Sequence, residues 1–352
     1  MSDIQERNLS ASWRPQRFSE VIGYTETKEQ LKSQFDSGRV PTAIKFVGVS
    51  RGGKTTLARI VARSVNCTHG EFGEPCDACL ENTDFEINEM NAAAFGKAED
   101  MRDLLEDLRY APRAGMYRVY ILDECQQMTT AAQNILLKPL EQADSANLFI
   151  FCTTDPTKLI PALQKRCGSS QFVVDGLNGA EIEELINRTS PSVVEGGFDQ
   201  QTVQNLTHLL VERSIFAPGD VVSAVERLSN GATLEAAAVS SDFSGKVDIR
   251  TLNAAVVRGD WDTCRRQLAL AEPRDGDEIR IRLTAHLRYL LLDQGCQPGR
   301  ADLLSQFIHE LTDHYTPLSG LVLSATVASV LKICNIVRET VASRRPILQR
   351  AA

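Results

Sequence analysis

The sequence predicts an α/β fold built on a parallel sheet, followed by an all-helical C-terminal half. Three observations carry this. Five short apolar runs alternate with helical patterns over roughly the first 175 residues, the pattern of a parallel sheet with crossover helices. The first run leads into Gly48-Val49-Ser50-Arg51-Gly52-Gly53-Lys54-Thr55, a complete G-x-x-x-x-G-K-T phosphate-binding loop. After Asp175-Gly176 the strand signal fades and amphipathic helical periodicity takes over.

In chain order, the strands read as Ala43–Val47, Phe85–Met90, Val119–Asp123, Leu148–Thr153 and Gln171–Val174. Between them, Thr56–Arg63, Ala98–Arg109 and Thr130–Glu141 repeat apolar residues at helical spacing. Residues 179–230 predict about three short amphipathic helices, with stops at Ser190-Pro191 and at Pro218-Gly219. Ser240 to Lys246 is polar and contains glycine, so it reads as a linker. Residues 247–345 are helical again, broken near Glu272-Pro273 and Gln297-Pro298-Gly299. The domains expected are a core over 1–175, with a cysteine-containing insertion at 67–82, a helical segment over 176–240 and a second over 247–352.

The strand–loop–helix context gives the loop its chemistry. The backbones of Gly48, Val49, Ser50, Arg51, Gly52 and Gly53, with the helix start at Lys54, Thr55 and Thr56, would turn N–H groups toward phosphates. Lys54 would reach the β- and γ-phosphates, and the Thr55 hydroxyl would ligate Mg2+. The run Val119-Tyr120-Ile121-Leu122-Asp123-Glu124 is a strand ending in two acids. Asp123 would hold Mg2+ and Glu124 would orient or deprotonate an attacking water. The next strand ends in Thr153-Thr154-Asp155-Pro156, and Thr154 suits a γ-phosphate sensor.

Bulk properties fit this reading. The chain has 352 residues, 43% hydrophobic and 24% charged, which is ordinary for a globular protein of two or three domains. No apolar stretch reaches the length of a membrane span, and the polar N-terminus shows no secretory signal. Nine cysteines without a signal read as reduced thiols in a cytoplasm. A formal charge of −8 gives no general affinity for nucleic acid, though a local basic patch could still contact phosphates.

Taken together, these motifs resemble the AAA+ subunits of sliding-clamp loaders, especially the bacterial DNA polymerase III gamma/tau group. The resemblance rests on Trp13-Arg14-Pro15-Gln16-Arg17-Phe18, Val21-Ile22-Gly23, Gly48–Thr55, Asn66-Cys67, Arg102-Asp103-Leu104-Leu105, Tyr110-Ala111-Pro112, Asp123-Glu124, Thr153-Thr154-Asp155-Pro156 and Arg166-Cys167, in that order. It is dense over residues 10–175 and thin afterwards. It implies an AAA+ core, a three-helix lid and a helical oligomerisation collar. ATP would lie between core and lid, with the backbone near Val21 and Ile22 against the adenine. Subunits would form a pentameric hetero-oligomer that binds ATP, opens a sliding clamp and engages primer–template DNA without reading sequence. Hydrolysis would release the clamp. Arg166 would act as an arginine finger toward a neighbouring subunit's γ-phosphate, and Lys97 and Arg102 would lie near the DNA backbone. The setting implied is a bacterial cytoplasm, or a phage-infected one for a divergent version.

Three departures from the family pattern stand out. The triplet Lys165-Arg166-Cys167 lacks the family's serine but keeps the arginine. Gly219, in Phe216-Ala217-Pro218-Gly219-Asp220, falls where the family's lid carries an ATP-contacting arginine. Of the family's four zinc-binding cysteines, Cys67, Cys76 and Cys79 remain while Asn82 takes the fourth position. His69 is close enough in sequence to complete a zinc site.

Overall fold

The computed structural model describes residues 13–38, 40–82, 84–112, 116–141, 146–168, 170–239, 247–271, 276–292, 298–313 and 326–338. It divides into two compact units: Met1–Leu177 with Ala217–Gly219, and Asn178–Phe216 with Asp220–Ala352.

The first unit is built on five parallel strands: β1 (Ala43–Gly48), β2 (Ile87–Asn91), β3 (Arg118–Asp123), β4 (Asn147–Thr153) and β5 (Gln171–Val174). Their order in the sheet is β2-β3-β4-β1-β5. The central β4 is buried along its whole length and β3 nearly so, as strands covered by helices on both faces must be. Helices α1 (Thr25–Asp36), α2 (Lys54–Ser64), α3 (Asp77–Leu80), α4 (Ala98–Leu104), α5 (Thr130–Leu140) and α6 (Pro161–Arg166) complete the unit. One core cluster joins Leu31, Phe46, Leu57, Ile60, Val119 and Ile150; another joins Met101, Tyr120, Phe149, Leu136 and Leu163. The two clusters occupy opposite faces of the sheet, because successive strand residues point to opposite sides. The strands fall within two residues of their expected positions. The helix expected over Ala98–Arg109 ends at Leu104 and continues as a 3-10 turn, Glu106–Arg109.

The second unit is helical. It contains α7 (Gly179–Thr189), α8 (Gln200–Glu212), α9 (Pro218–Ser229, its first two residues grouped with the first unit), α10 (Leu234–Ala237), α11 (Ile249–Arg258), α12 (Trp261–Leu268), α13 (Gly276–Leu292), α14 (Pro298–Asp313) and α15, over 326–338. Asn178, Asp199, Asp248 and Asp260 each accept backbone N–H groups at a helix start, satisfying donors that have no intrahelical partner. Leu252, Val256, Leu283, Leu287, Phe307 and Ile333 share its main core.

Pro218-Gly219 does not stop a helix, as the sequence suggested; it opens α9. Proline has no N–H to lose in a first turn and its fixed φ suits that position, so the same residue marks a start as readily as a stop. Pro298-Gly299 likewise opens α14. The linker expected over Ser240–Lys246 and the break at Glu272-Pro273 lie outside the described residues.

Candidate nucleotide site

Topology alone brings the expected chemistry together. With β4 between β1 and β3, the residues following these three strands meet at one end of the sheet, where open parallel sheets bind ligands. The registers Val47↔Thr153 and Leu122↔Phe151 set the three strand ends side by side.

The loop after β1 follows from backbone constraints. A side chain at Gly48 would place its Cβ 2.0 Å from the Val174 carbonyl oxygen, so only glycine lets β1 end this close to β5. Gly53 has φ +95°, a left-handed conformation that glycine adopts without steric cost and that turns the chain into α2. Lys54 is buried, and its ammonium donates to the carbonyls of Gly48 (3.1 Å) and Val49 (2.7 Å). Burial pushes its pKa down, against the pull of Glu124 and Asp123. Tyr24 supports the loop from outside the motif, its hydroxyl donating to the Gly52 carbonyl at 2.7 Å.

The acids arrive from β3. Thr55 Oγ1 donates to Asp123 Oδ2 at 2.8 Å, so the two oxygens expected to share a Mg2+ shell are already adjacent. Glu124 has φ +50° and ψ +38°, uncommon for a residue with a side chain. This kink starts a 3-10 turn, Cys125–Gln127, in which Gln126 hydrogen-bonds both the Glu124 carboxylate and Thr154 Oγ1. Lys54, Thr55, Asp123, Glu124 and Thr154 thus form one cluster with its linking contacts.

Val21 and Ile22 are buried, and the Lys28 ammonium holds the Val21 carbonyl at 2.8 Å. Arg51 donates through Nη2 to the Gly219 carbonyl at 2.6 Å and accepts from the Gly219 N–H at 3.1 Å. A Cβ at Gly219 would lie 2.9 Å from Arg51 Cβ. The glycine standing where the family has an arginine therefore fits closely against a loop arginine.

The cysteine loop is tied to the N-terminal segment and, through Arg63, to the C-terminal end of α2. Phe18 N–H donates to Gly73 O at 2.9 Å, and Arg17 Nε donates to Pro75 O at 3.0 Å. Cys67 Sγ, a His69 ring nitrogen, Cys76 Sγ and Cys79 Sγ all lie within 4.8 Å of one another, with His69 Nδ1 3.7 Å from Cys76 Sγ and 3.5 Å from Cys79 Sγ. Ligands about 2.3 Å from a tetrahedral zinc would be about 3.8 Å apart, so this donor set fits the ion. Burial tends to raise the Cys67 thiol, but hydrogen bonds from Cys76, His69 and Cys79 bring it down to about 6, while burial pushes Cys79 up.

Arg166, at the end of α6, lies outside the cluster. It is exposed and pairs with the exposed carboxylate of Glu141. Lys97 and Arg102 are exposed at α4, where the Lys97 N–H donates to Asp100 Oδ2 at 2.8 Å. Five acids (Glu99, Asp100, Asp103, Glu106 and Asp107) surround those two cations in sequence, so this segment is not a basic patch. Tyr24, Gln126 and Glu141 fall outside the sequence motifs. Only Gln126, so close to the acid pair, offered a local clue.

The family model described as DNA polymerase III, delta subunit, matches residues 23–175. The chain is 35% identical over 184 residues to DNA polymerase III subunit tau of Escherichia coli (strain K12), covering 51% of this chain and 28% of that protein. It is 35% identical over 185 residues to subunit gamma of Buchnera aphidicola, covering 51% and 50%. It is 30% identical over 277 residues to subunit tau/gamma of Haemophilus influenzae, covering 72% and 40%. The matched region is therefore half or less of each relative's own length. Among solved structures, the Thermotoga maritima RuvB Holliday junction branch migration motor superposes with a TM-score of 0.50 at 17% identity, over 77% of this chain and 85% of that one. At that identity the likeness concerns the fold alone, a parallel sheet flanked by helices with a helical segment after it. The sequence similarity is to gamma and tau subunits of DNA polymerase III. Among the described residues, no helix is long and apolar enough to cross a membrane.

Proposed function

We propose that the chain is an ATP-hydrolysing subunit of a DNA-replication clamp loader. The observation that carries this reading is the 2.8 Å hydrogen bond between Thr55 and Asp123, which joins a complete phosphate loop to an acid-ended strand in a chain similar to gamma/tau subunits. Lys54 would exchange its loop carbonyls for β- and γ-phosphate oxygens, a stronger, charge-assisted partnership. Thr55 and Asp123 would hold Mg2+, which when bound neutralises phosphate charge. Glu124 would take a proton from the attacking water, and Thr154 would donate to the γ-phosphate. The backbone at Val21 and Ile22 would face the adenine.

The wider reading follows the similarity. The partners would be a sliding clamp, primer–template DNA and other loader subunits in a pentamer, with residues 176–240 as lid and 247–352 as collar. Arg166 would supply an arginine finger to a neighbouring site. Lys97 and Arg102 would contact DNA. Cys67, His69, Cys76 and Cys79 would hold a structural zinc.

The test is nucleotide chemistry. Lys54→Ala should abolish tight ATP binding. Glu124→Gln should bind ATP normally and slow its hydrolysis by about 10²–10⁴-fold, the usual worth of general-base catalysis. Normal turnover by Glu124→Gln would remove Glu124 from the role of base.

A further inference from the structure

Gln126 is buried, yet its side-chain amide uses its full hydrogen-bonding capacity. Nε2 donates to the Glu124 carboxylate and to Thr154 Oγ1 (3.0 Å). Oε1 accepts from Thr153 Oγ1 (2.9 Å) and from the Thr154 N–H (3.4 Å). Two donors and two acceptor sites are all a glutamine amide has. The orientation of the amide is fixed by its partners. A carboxylate can only accept and a backbone N–H can only donate, so turning the amide over would oppose like groups at both places.

We propose that Gln126 is a positioning residue that couples the γ-phosphate-sensing Thr154 to the water-activating Glu124. The inference rests on the ATPase reading of the site. Because Thr154 Oγ1 accepts from Gln126, its own hydrogen is left to donate to a γ-phosphate oxygen. Because one Glu124 oxygen is held by the same amide, the other is left to accept a proton from water. A shift of Thr154 toward the nucleotide is therefore transmitted to Glu124 through one rigid planar group. The Thr153 contact anchors that group to the fully buried end of β4. The side-chain hydrogen bonds of Gln126 go to Glu124, Thr153 and Thr154, none of them in the phosphate loop, so its effect on acid placement is separable from nucleotide binding.

The experiment measures kcat and KM for MgATP on the full chain, in complex with its co-purified subunits, for wild type, Gln126→Met, Gln126→Glu, Glu124→Gln and the double variant Glu124→Gln/Gln126→Met. Methionine matches glutamine in length without hydrogen-bonding to a carboxylate. Glutamate keeps the acceptor side but cannot donate to Glu124, and it serves if the methionine variant misfolds. Each single Gln126 variant should lower kcat by about 10- to 100-fold, part of the full general-base effect, with KM nearly unchanged. The double variant should be no slower than Glu124→Gln alone, since a residue acting through Glu124 has nothing left to position. An unchanged kcat in the single variants, or losses that multiply in the double variant, would overturn the coupling role. A wild type that does not hydrolyse ATP would overturn the ATPase reading itself, whereas normal turnover by Glu124→Gln would overturn the coupling role and leave the ATPase reading standing.

Discussion

His69 and Gln126 are single polar residues with no periodicity around them, yet each completes a cluster. A motif gives residue types at fixed spacing, whereas the partner of a buried amide or a fourth metal ligand depends on how loops fold back. His69 sits two residues after Cys67, and the loop's return at Cys76 and Cys79 brings its Nδ1 within 3.7 Å of both thiols. If these four groups form a zinc site, purified protein should contain about one zinc per chain. His69→Ala should lose it on dialysis against a mild chelator that wild type withstands, while ATP binding persists. Elemental analysis that finds no zinc in wild type would leave three ordinary thiols. At the phosphate loop the sequence was more informative, because the chemistry there uses backbone groups and the glycines required to expose them are visible as letters. Lys54, Thr55 and the acid pair were legible for that reason. Arg51's fit against Gly219 was not, since its cause is a close approach between segments 168 positions apart.

Among the elements, the strands were easiest to place, the break near Pro298-Gly299 falls between two helices, and Pro218-Gly219 was misread as a stop. Burial of the central strands β3 and β4 leaves runs of apolar residues that are legible in the sequence. Pro218-Gly219 and Pro298-Gly299 carry the same letters whether they end or begin a helix, and only the flanking backbone decides. The helix starts in the second unit offer a test at this scale. Asp248 caps α11 by accepting from the Arg250 and Thr251 N–H groups at 3.1 and 3.2 Å. Desolvation tends to raise its pKa, but hydrogen bonds from Thr251 and Arg250 prevail and hold it below the usual carboxylate value. Its folded pKa is depressed, so its contribution is present above the unfolded value and is lost as pH falls through the folded one. Asp248→Ala should destabilise the helical unit by about 1 kcal/mol at neutral pH. The difference from wild type should shrink in acid, as followed by denaturant midpoints across pH. A constant difference across that range would mean that the carboxylate charge plays no part in the cap.

At the scale of the whole molecule, an interfacial role for Arg166 makes a distinctive demand. In the single chain its guanidinium is paired with Glu141 at the surface. Exposed pairs of this kind are worth about 0–1 kcal/mol, so exchanging Glu141 for a neighbour's γ-phosphate costs little. Arg166→Ala should leave the ATP affinity of the isolated chain nearly unchanged. In the assembled complex it should remove stimulated turnover by a large factor, on the order of the 10³–10⁵ found for arginine fingers supplied in trans. Mixing mutant and wild-type subunits should show the defect in the neighbouring site. A defect confined to the mutant's own site would make Arg166 a residue acting in cis.

The sequence by itself determined the α/β class, the five strands, the phosphate loop and its acid partner. Each of these is written in local periodicity or in a motif whose spacing is set by backbone geometry. Tertiary structure alone decided the strand order that sets Thr154 at the same sheet end as loop and acids, the left-handed turn at Glu124 that lets Gln126 bond both Glu124 and Thr154, the approach of His69 to three thiols, and the pairing of Arg166 with Glu141. Those contacts join residues that are not neighbours along any single element. Their cause is the packing of strands and loops against one another, which no local pattern encodes.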